Sequence, residues 1–272
     1  MKISVMTYTL ASRPDLYPVE RYAEIIANAG AKGVNWVTLY GERPERILEL
    51  TRNAGLEIGA FTFALQSFRH GGSEAEALKE AEIRFGEAAA IGAPVVMIVP
   101  MPIDGVSDLA ETRLRWCALL QQLAPLAKKA NTIMTIEDFD GPNSAFLTAS
   151  ELLEAYRAEP SLRFTFDIGN AALAGDPAAC ADVLGSLVAY VHLKDWHVSN
   201  VYSKGALQGR DGRFFSPAPI GGGQVDILSA IRILKKHGYD GFADIEYAGR
   251  EVTPETAIAN AVKWMLASGC WQ

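Results

Sequence analysis

Acidic residues and one histidine stand at the ends of four short apolar runs in the second half of the sequence. The motifs are Ile-Glu137-Asp, Phe-Asp167-Ile-Gly-Asn, Val-His192-Leu-Lys-Asp and Asp-Ile-Glu246. Three carboxylates and one imidazole form a mostly hard-oxygen donor set for a divalent cation, with open positions for water or substrate oxygens. A single acid at a strand end is more often a helix cap or an ion-pair partner, but four such motifs in succession favour a metal site.

We therefore expect one divalent metal ion bound by Glu137, Asp167, His192 and Glu246. This donor set favours Mn²⁺, with Mg²⁺, Co²⁺ or Zn²⁺ as alternatives. The ion would polarise a substrate carbonyl and stabilise the enediolate that forms when the neighbouring carbon loses a proton. Glu137 and Glu246 come from different strands, so one could remove a proton and the other return it. Both glutamates are therefore predicted to be catalytic.

The four motifs end units of a strand–helix pattern that runs through the chain. Helical segments, two of which begin at the capping boxes Ser73-x-x-Glu76 and Thr148-x-x-Glu151, alternate with eight β-rich apolar runs. The predicted strands are Lys2–Tyr8, Gly33–Leu39, Leu56–Phe63, Pro94–Val99, Thr132–Glu137, Arg163–Asp167, Ala189–Lys194 and Phe242–Glu246. Strict alternation implies parallel strands, and no G-x-G-x-x-G follows the first strand as a dinucleotide-binding open sheet would require. We predict a single α/β domain over residues 1–272, a (β/α)₈ TIM barrel with the motifs at its carboxyl rim.

Four further residues near these strand ends are candidates for substrate binding. Side chains alternate along a strand, so Lys194 is expected to face the barrel together with His192. Asn170 and His197 follow the sixth and seventh strands, and His70 follows the third. The alternatives are a solvated rim charge for Lys194 and ordinary loop positions for the other three.

A long segment rich in glycine, serine and proline, Trp196–Gly223, follows the seventh strand. We predict that it is irregular and that it covers the mouth of the barrel, where it would exclude water. Its end, Pro219-Ile-Gly-Gly-Gly223, has two interpretations. The glycines would either present backbone N–H groups to a phosphate at a helix N-terminus or form a structural turn.

Composition excludes several other classes of protein. The 272 residues are 49% hydrophobic with a net charge of −7, which does not suit a nucleic-acid-binding face. Cys117, Cys180 and Cys270 lack metal-ligand spacing and are expected to be reduced thiols. With no signal-peptide pattern and no membrane-length apolar run, we expect a cytoplasmic protein that does not bind membranes. The expected partner is a small carbohydrate-like substrate, and homo-oligomerisation stays open.

The motifs together resemble the xylose isomerase-like TIM barrel superfamily, in particular its sugar (phosphate) isomerase/epimerase group. That group includes ketose 3-epimerases, hydroxypyruvate isomerase and inosose dehydratase. The four motifs and the turn Gly221-Gly-Gly-Gln-Val-Asp226 carry the resemblance. It implies that the four ligands bind one metal and that the two glutamates form the acid/base pair. Ketose 3-epimerases have a histidine three residues after the strand-six aspartate, where Asn170 stands here, so the substrate's hydroxyl pattern is not implied.

The expected activity is isomerisation or epimerisation of a sugar, keto-polyol or related hydroxycarbonyl compound. A metal-dependent dehydratase of the inosose or dehydroshikimate type is the alternative, because it would begin with the same proton abstraction. A catalytically silent binding protein is a third hypothesis, against which the intact glutamate pair argues. The apurinic-site endonucleases of the superfamily use three zinc ions and more histidines, so four histidines and an acidic charge do not support that activity.

Overall fold

Eight parallel strands close into a barrel in the computed structural model, which describes residues 1–141 and 144–271. The barrel strands are β1 (Lys2–Met6), β2 (Gly33–Val37), β3 (Glu57–Ala64), β4 (Val95–Val99), β5 (Ile133–Glu137), β6 (Arg163–Asp167), β7 (Val188–Leu193) and β11 (Phe242–Ile245). Each strand pairs with its neighbour in this order, and β11 pairs back with β1. The predicted (β/α)₈ barrel is confirmed, with strand bounds close to those expected.

Helices follow the barrel strands and form the outer layer. They are α1 (Tyr8–Ala11), α2 (Tyr22–Asn28), α3 (Pro44–Asn53), α4 (Gln66–Arg69), α5 (Glu74–Ile91), α6 (Leu109–Ala130), α7 (Ala149–Ala158), α8 (Ile168–Ala174), α9 (Pro177–Leu184), α10 (Ile227–Lys236) and α11 (Pro254–Ala267). The predicted capping boxes at Ser73 and Thr148 are both formed, at the starts of α5 and α7. Among the described residues, no helix combines the length and the apolar character that crossing a bilayer requires.

Alternation along the strands separates an apolar layer from a polar barrel interior. Outward-facing side chains such as Val34, Ile136 and Val191 belong to the large core between the strands and the helices. The inward positions carry buried polar residues, namely Ser4, Asn35, Thr62, Thr135, Thr165, His192 and Asp244. Buried polar groups are costly unless they are hydrogen-bonded. The buried polar residues in the barrel interior therefore suggest a functional site there, in addition to any structural role.

The segment after β7 differs from the prediction, because it is not irregular. It contains a three-stranded antiparallel sheet in the order β8 (Asp195–Ser199), β10 (Phe214–Ala218), β9 (Leu207–Gln208). The strands are short, and Pro217 lies within β10, so the local pattern resembled a loop. Phe215 and Trp196 pack in a small apolar cluster with residues outside the sheet. This packing stabilises the pairing of the three strands, which the sequence of each strand alone does not predict.

The glycine-rich end of this segment wraps around a buried carboxylate. The N–H groups of Gly221 and Gly223 each donate to Asp195 Oδ2 at 2.9 Å. Asp195 Oδ1 accepts from the N–H of Trp196 at 2.9 Å and of Val225 at 3.1 Å. Because these donors already have an internal anion as partner, the structural-turn interpretation of the glycine cluster applies and the phosphate interpretation does not.

Gly223 is required in this turn because a side chain there would collide with the carboxylate. A Cβ on Gly223 would lie 2.1 Å from Asp195 Oδ1. We expect Gly223→Ala to cost about 2 kcal/mol or more, since it displaces a buried charged acceptor from its donors. Urea unfolding followed by circular dichroism measures this loss. Gly222→Ala is the control, because its Cβ would meet no atom closer than 3.2 Å; equal stability of the two variants would contradict the role given to Asp195.

Candidate metal centre and active site

The four predicted ligands converge at the carboxyl end of the barrel. Glu137 and Asp167 are the last residues of β5 and β6, His192 lies in β7, and Glu246 directly follows β11. One ligand atom from each residue lies within 4.8 Å of those from the other three, and all four residues are buried. Four adjacent strands thus deliver one donor each to a single point, as expected from the sequence motifs.

Three candidate ligand atoms of this cluster form no hydrogen bond with any residue that the structure describes, which is unusual for buried polar atoms. Glu137 Oε2, Asp167 Oδ2 and His192 Nδ1 are buried and form no hydrogen bond within the described parts of the chain, although Asp167 Oδ2 has an ion-pair contact with Lys194 Nζ at 3.1 Å. His192 Nδ1 lies 3.4 Å from Glu137 Oε2 and 3.4 Å from Glu246 Oε2. Unsatisfied buried groups are rare because each costs free energy. A divalent cation among these atoms would satisfy them together, so the residues fit a metal ion.

Without such an ion, protons compensate the negative charge of the cluster. Burial raises the pKa of Glu137 to about 7, against the opposing effect of His192. Burial also acts to raise the pKa of Glu246, but Lys194 and His192 outweigh it and hold that pKa at about 2. For His192, burial lowers the pKa, while Glu137 and Glu246 together raise it well above its ordinary value. The cluster therefore requires positive charge, which a bound cation would supply while releasing protons.

Lys194 supplies a second positive charge beside the ligands. Its Nζ lies 3.0 Å from Glu246 Oε1, 3.1 Å from Asp167 Oδ2 and 3.7 Å from Asp140 Oδ2. Burial acts to lower the pKa of Lys194, yet these carboxylates raise it well above its ordinary value. Lys194 is therefore charged, and it faces the same interior as His192, as strand alternation predicted.

A buried network beneath the ligands orients His192. Its Nε2 lies 3.5 Å from Asp244 Oδ2, which also accepts from Asn35 Nδ2 at 2.7 Å. Asp244 Oδ1 accepts from Tyr190 Oη at 2.8 Å and from Ser4 Oγ. A carboxylate behind an imidazole fixes the orientation of the ring that binds the metal. In the sequence, Asp244 is the first residue of the Asp-Ile-Glu246 motif, and no pattern there assigned it this role.

A cavity of about 520 Å³ opens above the ligands. Glu137, Lys194 and Glu246 form its charged floor. Much of the wall is apolar or aromatic and includes Met6, Tyr8, Met101, Phe139, Trp196, Pro217, Ala218 and Tyr247. The volume lies in the range of about 300–1,000 Å³ that is usual for small-molecule sites. Since Trp196, Pro217 and Ala218 are wall residues, the prediction that the Trp196–Gly223 segment lies at the mouth is confirmed.

Of the four predicted substrate contacts, Lys194 lines the cavity. Asn170 is buried below it, where its Nδ2 donates to the Asp138 carbonyl and its Oδ1 accepts from Lys194. The other two are rim residues with acidic partners and do not line the cavity: His70 pairs with Asp104 at 2.8 Å and His197 with Glu251 at 2.7 Å. Their proximity to strand ends in the sequence does not bring them to the cavity wall.

Arg69 and Arg84 line the cavity although sequence reasoning did not select them. Arg69 ends α4, and Arg84 lies in the middle of α5. In the sequence both resemble ordinary surface arginines of amphipathic helices. Only the way α4 and α5 pack after β3 brings them to the cavity, and no motif or spacing signals that arrangement.

Comparison with known proteins places this architecture in a family. A family model described as xylose isomerase-like TIM barrel matches residues 23–268. The chain belongs to the xylose isomerase-like TIM barrel family, in agreement with the resemblance of its motifs. A search of curated protein sequences finds no match.

Solved structures share the fold at low sequence identity. The IOLI protein with a bound zinc atom superposes with a TM-score of 0.78 at 16% identity, covering 98% of this chain and 97% of that one. L-ribulose 3-epimerase gives 0.76 at 13%, covering 99% and 94%. The probable 3-DHS dehydratase AsbF from Bacillus anthracis gives 0.74 at 18%, covering 98% and 99%. At these identities the similarity shows the common fold alone.

The position of Asp244 leads to a prediction about metal affinity. We expect Asp244→Asn to weaken Mn²⁺ binding by about 10–100-fold, the usual effect of losing a carboxylate behind a metal-ligating histidine. Isothermal titration calorimetry on the metal-free protein measures the change. Tyr190→Phe serves as the control, because it removes a donor to Asp244 Oδ1 and leaves the contact of Oδ2 with His192. An unchanged affinity in Asp244→Asn, or an equal loss in both variants, would contradict the orienting role.

Proposed function

We propose that this protein is a metal-dependent isomerase or epimerase of a sugar, keto-polyol or related hydroxycarbonyl compound. One observation carries the proposal. Glu137 and Glu246 each contribute a ligand atom to the cluster, and each also lines the cavity above it. A carboxylate in that position can hold a cation through one oxygen and exchange a proton with a substrate through the other.

The residues of the site divide the chemistry between them. A divalent cation bound at the four ligands supplies Lewis-acid polarisation of a substrate carbonyl. Glu137 and Glu246 approach the cavity from strands on different sides of the cluster, so one removes the proton next to the carbonyl and the other returns it. The charged Nζ of Lys194 lies beside them and stabilises negative charge that develops on a substrate oxygen. Trp196 and its sheet cover the mouth and limit the entry of water.

Two structural neighbours favour this class of reaction. One is an L-ribulose 3-epimerase and another is a probable 3-DHS dehydratase. Epimerisation and dehydration of such compounds both start with removal of a proton next to a carbonyl. The two glutamates here are placed where they could perform that step. The two outcomes differ only after that step, because the epimerase returns a proton and the dehydratase expels water.

Exchange with heavy water tests the proposal and separates these outcomes. The Mn²⁺-loaded protein is incubated in D₂O with a panel of hydroxyketones and hydroxyaldehydes, and the products are analysed by NMR and mass spectrometry. Deuterium incorporation with a change of isomer and no loss of water supports the isomerase or epimerase. Formation of an absorbing enone identifies a dehydratase instead. Absence of exchange with every compound would contradict the proposal.

Replacing each glutamate by glutamine tests the acid/base pair. Glu137→Gln and Glu246→Gln retain an oxygen donor but cannot transfer the proton, so we expect turnover to fall by about 10²–10⁴ with moderate loss of metal affinity. Steady-state kinetics at saturating Mn²⁺ measures the fall. The matched control is Glu57→Gln, an exposed glutamate at the start of β3 that pairs with Lys2. Near-normal turnover in either site variant with metal bound would show that the two-glutamate mechanism is wrong.

His192→Ala should separate metal binding from proton transfer. His192 offers only a ligand atom to the cluster and does not line the cavity. We expect its loss to weaken Mn²⁺ binding first, with part of the activity restored by excess Mn²⁺. Titrating activity against Mn²⁺ concentration shows this. A rate that excess metal does not raise would indicate that His192 has a role beyond metal binding.

A further inference from the structure

Two arginines on one wall of the cavity have donors that the protein leaves unused. Within residues 1–141 and 144–271, the guanidinium of Arg69 forms no ion pair and no side-chain hydrogen bond. Arg84 uses Nη1 for both oxygens of Glu87, at 3.2 and 2.9 Å, and its Nε and Nη2 have no acceptor in that part of the chain. Both side chains are only partly exposed and line the cavity. The wall thus presents directed, charged N–H donors to whatever occupies it.

The nearby carboxylates do not take up these donors. Glu80, one turn before Arg84, accepts from the N–H groups of Gln66 and Ser67 and from Ser67 Oγ. It is therefore committed to the first turn of α4. Glu87 engages a single nitrogen of Arg84. In the described part of the chain, Glu87 is the only carboxylate that accepts a hydrogen bond from either guanidinium group.

The arginine wall lies opposite His192 and Lys194 across the barrel. Arg69 and Arg84 belong to α4 and α5, which follow β3, and β3 and β7 are four strands apart in the ring of eight. A substrate with its reacting carbonyl at the ligand cluster therefore extends its far end toward the arginines. Lys194 at the floor already pairs with carboxylates, so a negative charge on the substrate is better placed at the arginine wall.

We propose that Arg69 and Arg84 form an anion-binding subsite and that the substrate is a hydroxycarbonyl compound with a carboxylate or phosphate at the end remote from the reacting carbonyl. This inference rests on the proposed function for the orientation of the substrate. Guanidinium groups bind both oxyanions through paired charge-assisted hydrogen bonds. Gln66 lines the same wall and adds a neutral amide donor. The apolar and aromatic part of the cavity wall lowers the local dielectric constant and so strengthens these contacts.

Three probes that differ only at their last carbon test the subsite. D-Fructose is neutral there, D-fructuronate carries a carboxylate, and D-fructose 6-phosphate carries a phosphate. Calorimetry on the Mn²⁺-loaded protein is expected to show at least one anionic probe binding about tenfold or more tightly than fructose. Comparing the two anionic probes identifies which group the subsite prefers. Equal affinity for all three, or binding of none, would overturn the proposal.

Variants of the two arginines test whether they cause the preference for an anionic probe. Arg69→Gln and Arg84→Gln should each reduce the affinity for the preferred anionic probe by about tenfold and leave that for fructose unchanged. Arg115→Gln is the matched control. The guanidinium of Arg115 lies 5.4 Å from the centroid of the Phe68 ring in α4, and Arg115 does not line the cavity. If Arg115→Gln loses the preference equally, or if the site variants weaken fructose binding as much, the subsite is not at Arg69 and Arg84.

Failure of this inference is distinguishable from failure of the proposed function. Binding of the probes needs no turnover, whereas the proposed function is tested by deuterium exchange. Exchange with a neutral sugar that is insensitive to Arg69→Gln and Arg84→Gln overturns the subsite and keeps the isomerase. Arginine-dependent binding of an anionic probe without exchange of any compound keeps the subsite and overturns the isomerase.

Discussion

The structure depends on three carboxylates buried around one point. Glu137, Asp167 and Glu246 are buried and lie close together. Burial and mutual repulsion both disfavour their ionised forms unless positive charge lies nearby. His192 and Lys194 supply positive charge beside the carboxylates, and Asp244 lies on the other side of the imidazole. Such an arrangement costs stability, which the large apolar layer between strands and helices offsets. Because the cluster destabilises the fold, its presence indicates a functional role, and its donor set fits a divalent cation.

Much of this could be predicted because it obeys short-range rules. Strand alternation placed His192 and Lys194 on the same face, and the end of a barrel strand is where a ligand reaches the rim. Capping boxes marked the starts of α5 and α7, since the two residues involved are three positions apart. The convergence of Glu137, Asp167, His192 and Glu246 could be predicted for the same reason, because each is the end of a local pattern and the barrel topology brings those ends together.

The parts that escaped prediction are those set by contacts between distant residues. The sheet of β8, β9 and β10 forms because Trp196 and Phe215 pack together, although they are far apart in the chain. The glycine turn is occupied by Asp195, a residue that no phosphate-site pattern includes. His70 and His197 follow strands but turn away to pair with acids on neighbouring loops. A position near a strand end determines roughly where the backbone lies, but it does not determine which residue the side chain contacts.

The same distinction explains why the candidate metal ligands could be predicted from the sequence more firmly than the substrate. The four ligands lie in or directly after barrel strands, whose positions hydrogen-bonded pairing determines. The wall opposite comes from α4 and α5, and the cover comes from β8 and β10, elements whose length and packing can change without disturbing the barrel. The wall and the cover can therefore differ while the cluster of Glu137, Asp167, His192 and Glu246 keeps its geometry. In this chain two arginines line that wall, so under the proposed anion-binding subsite the substrate class is decided on the side of the cavity away from the candidate metal ligands.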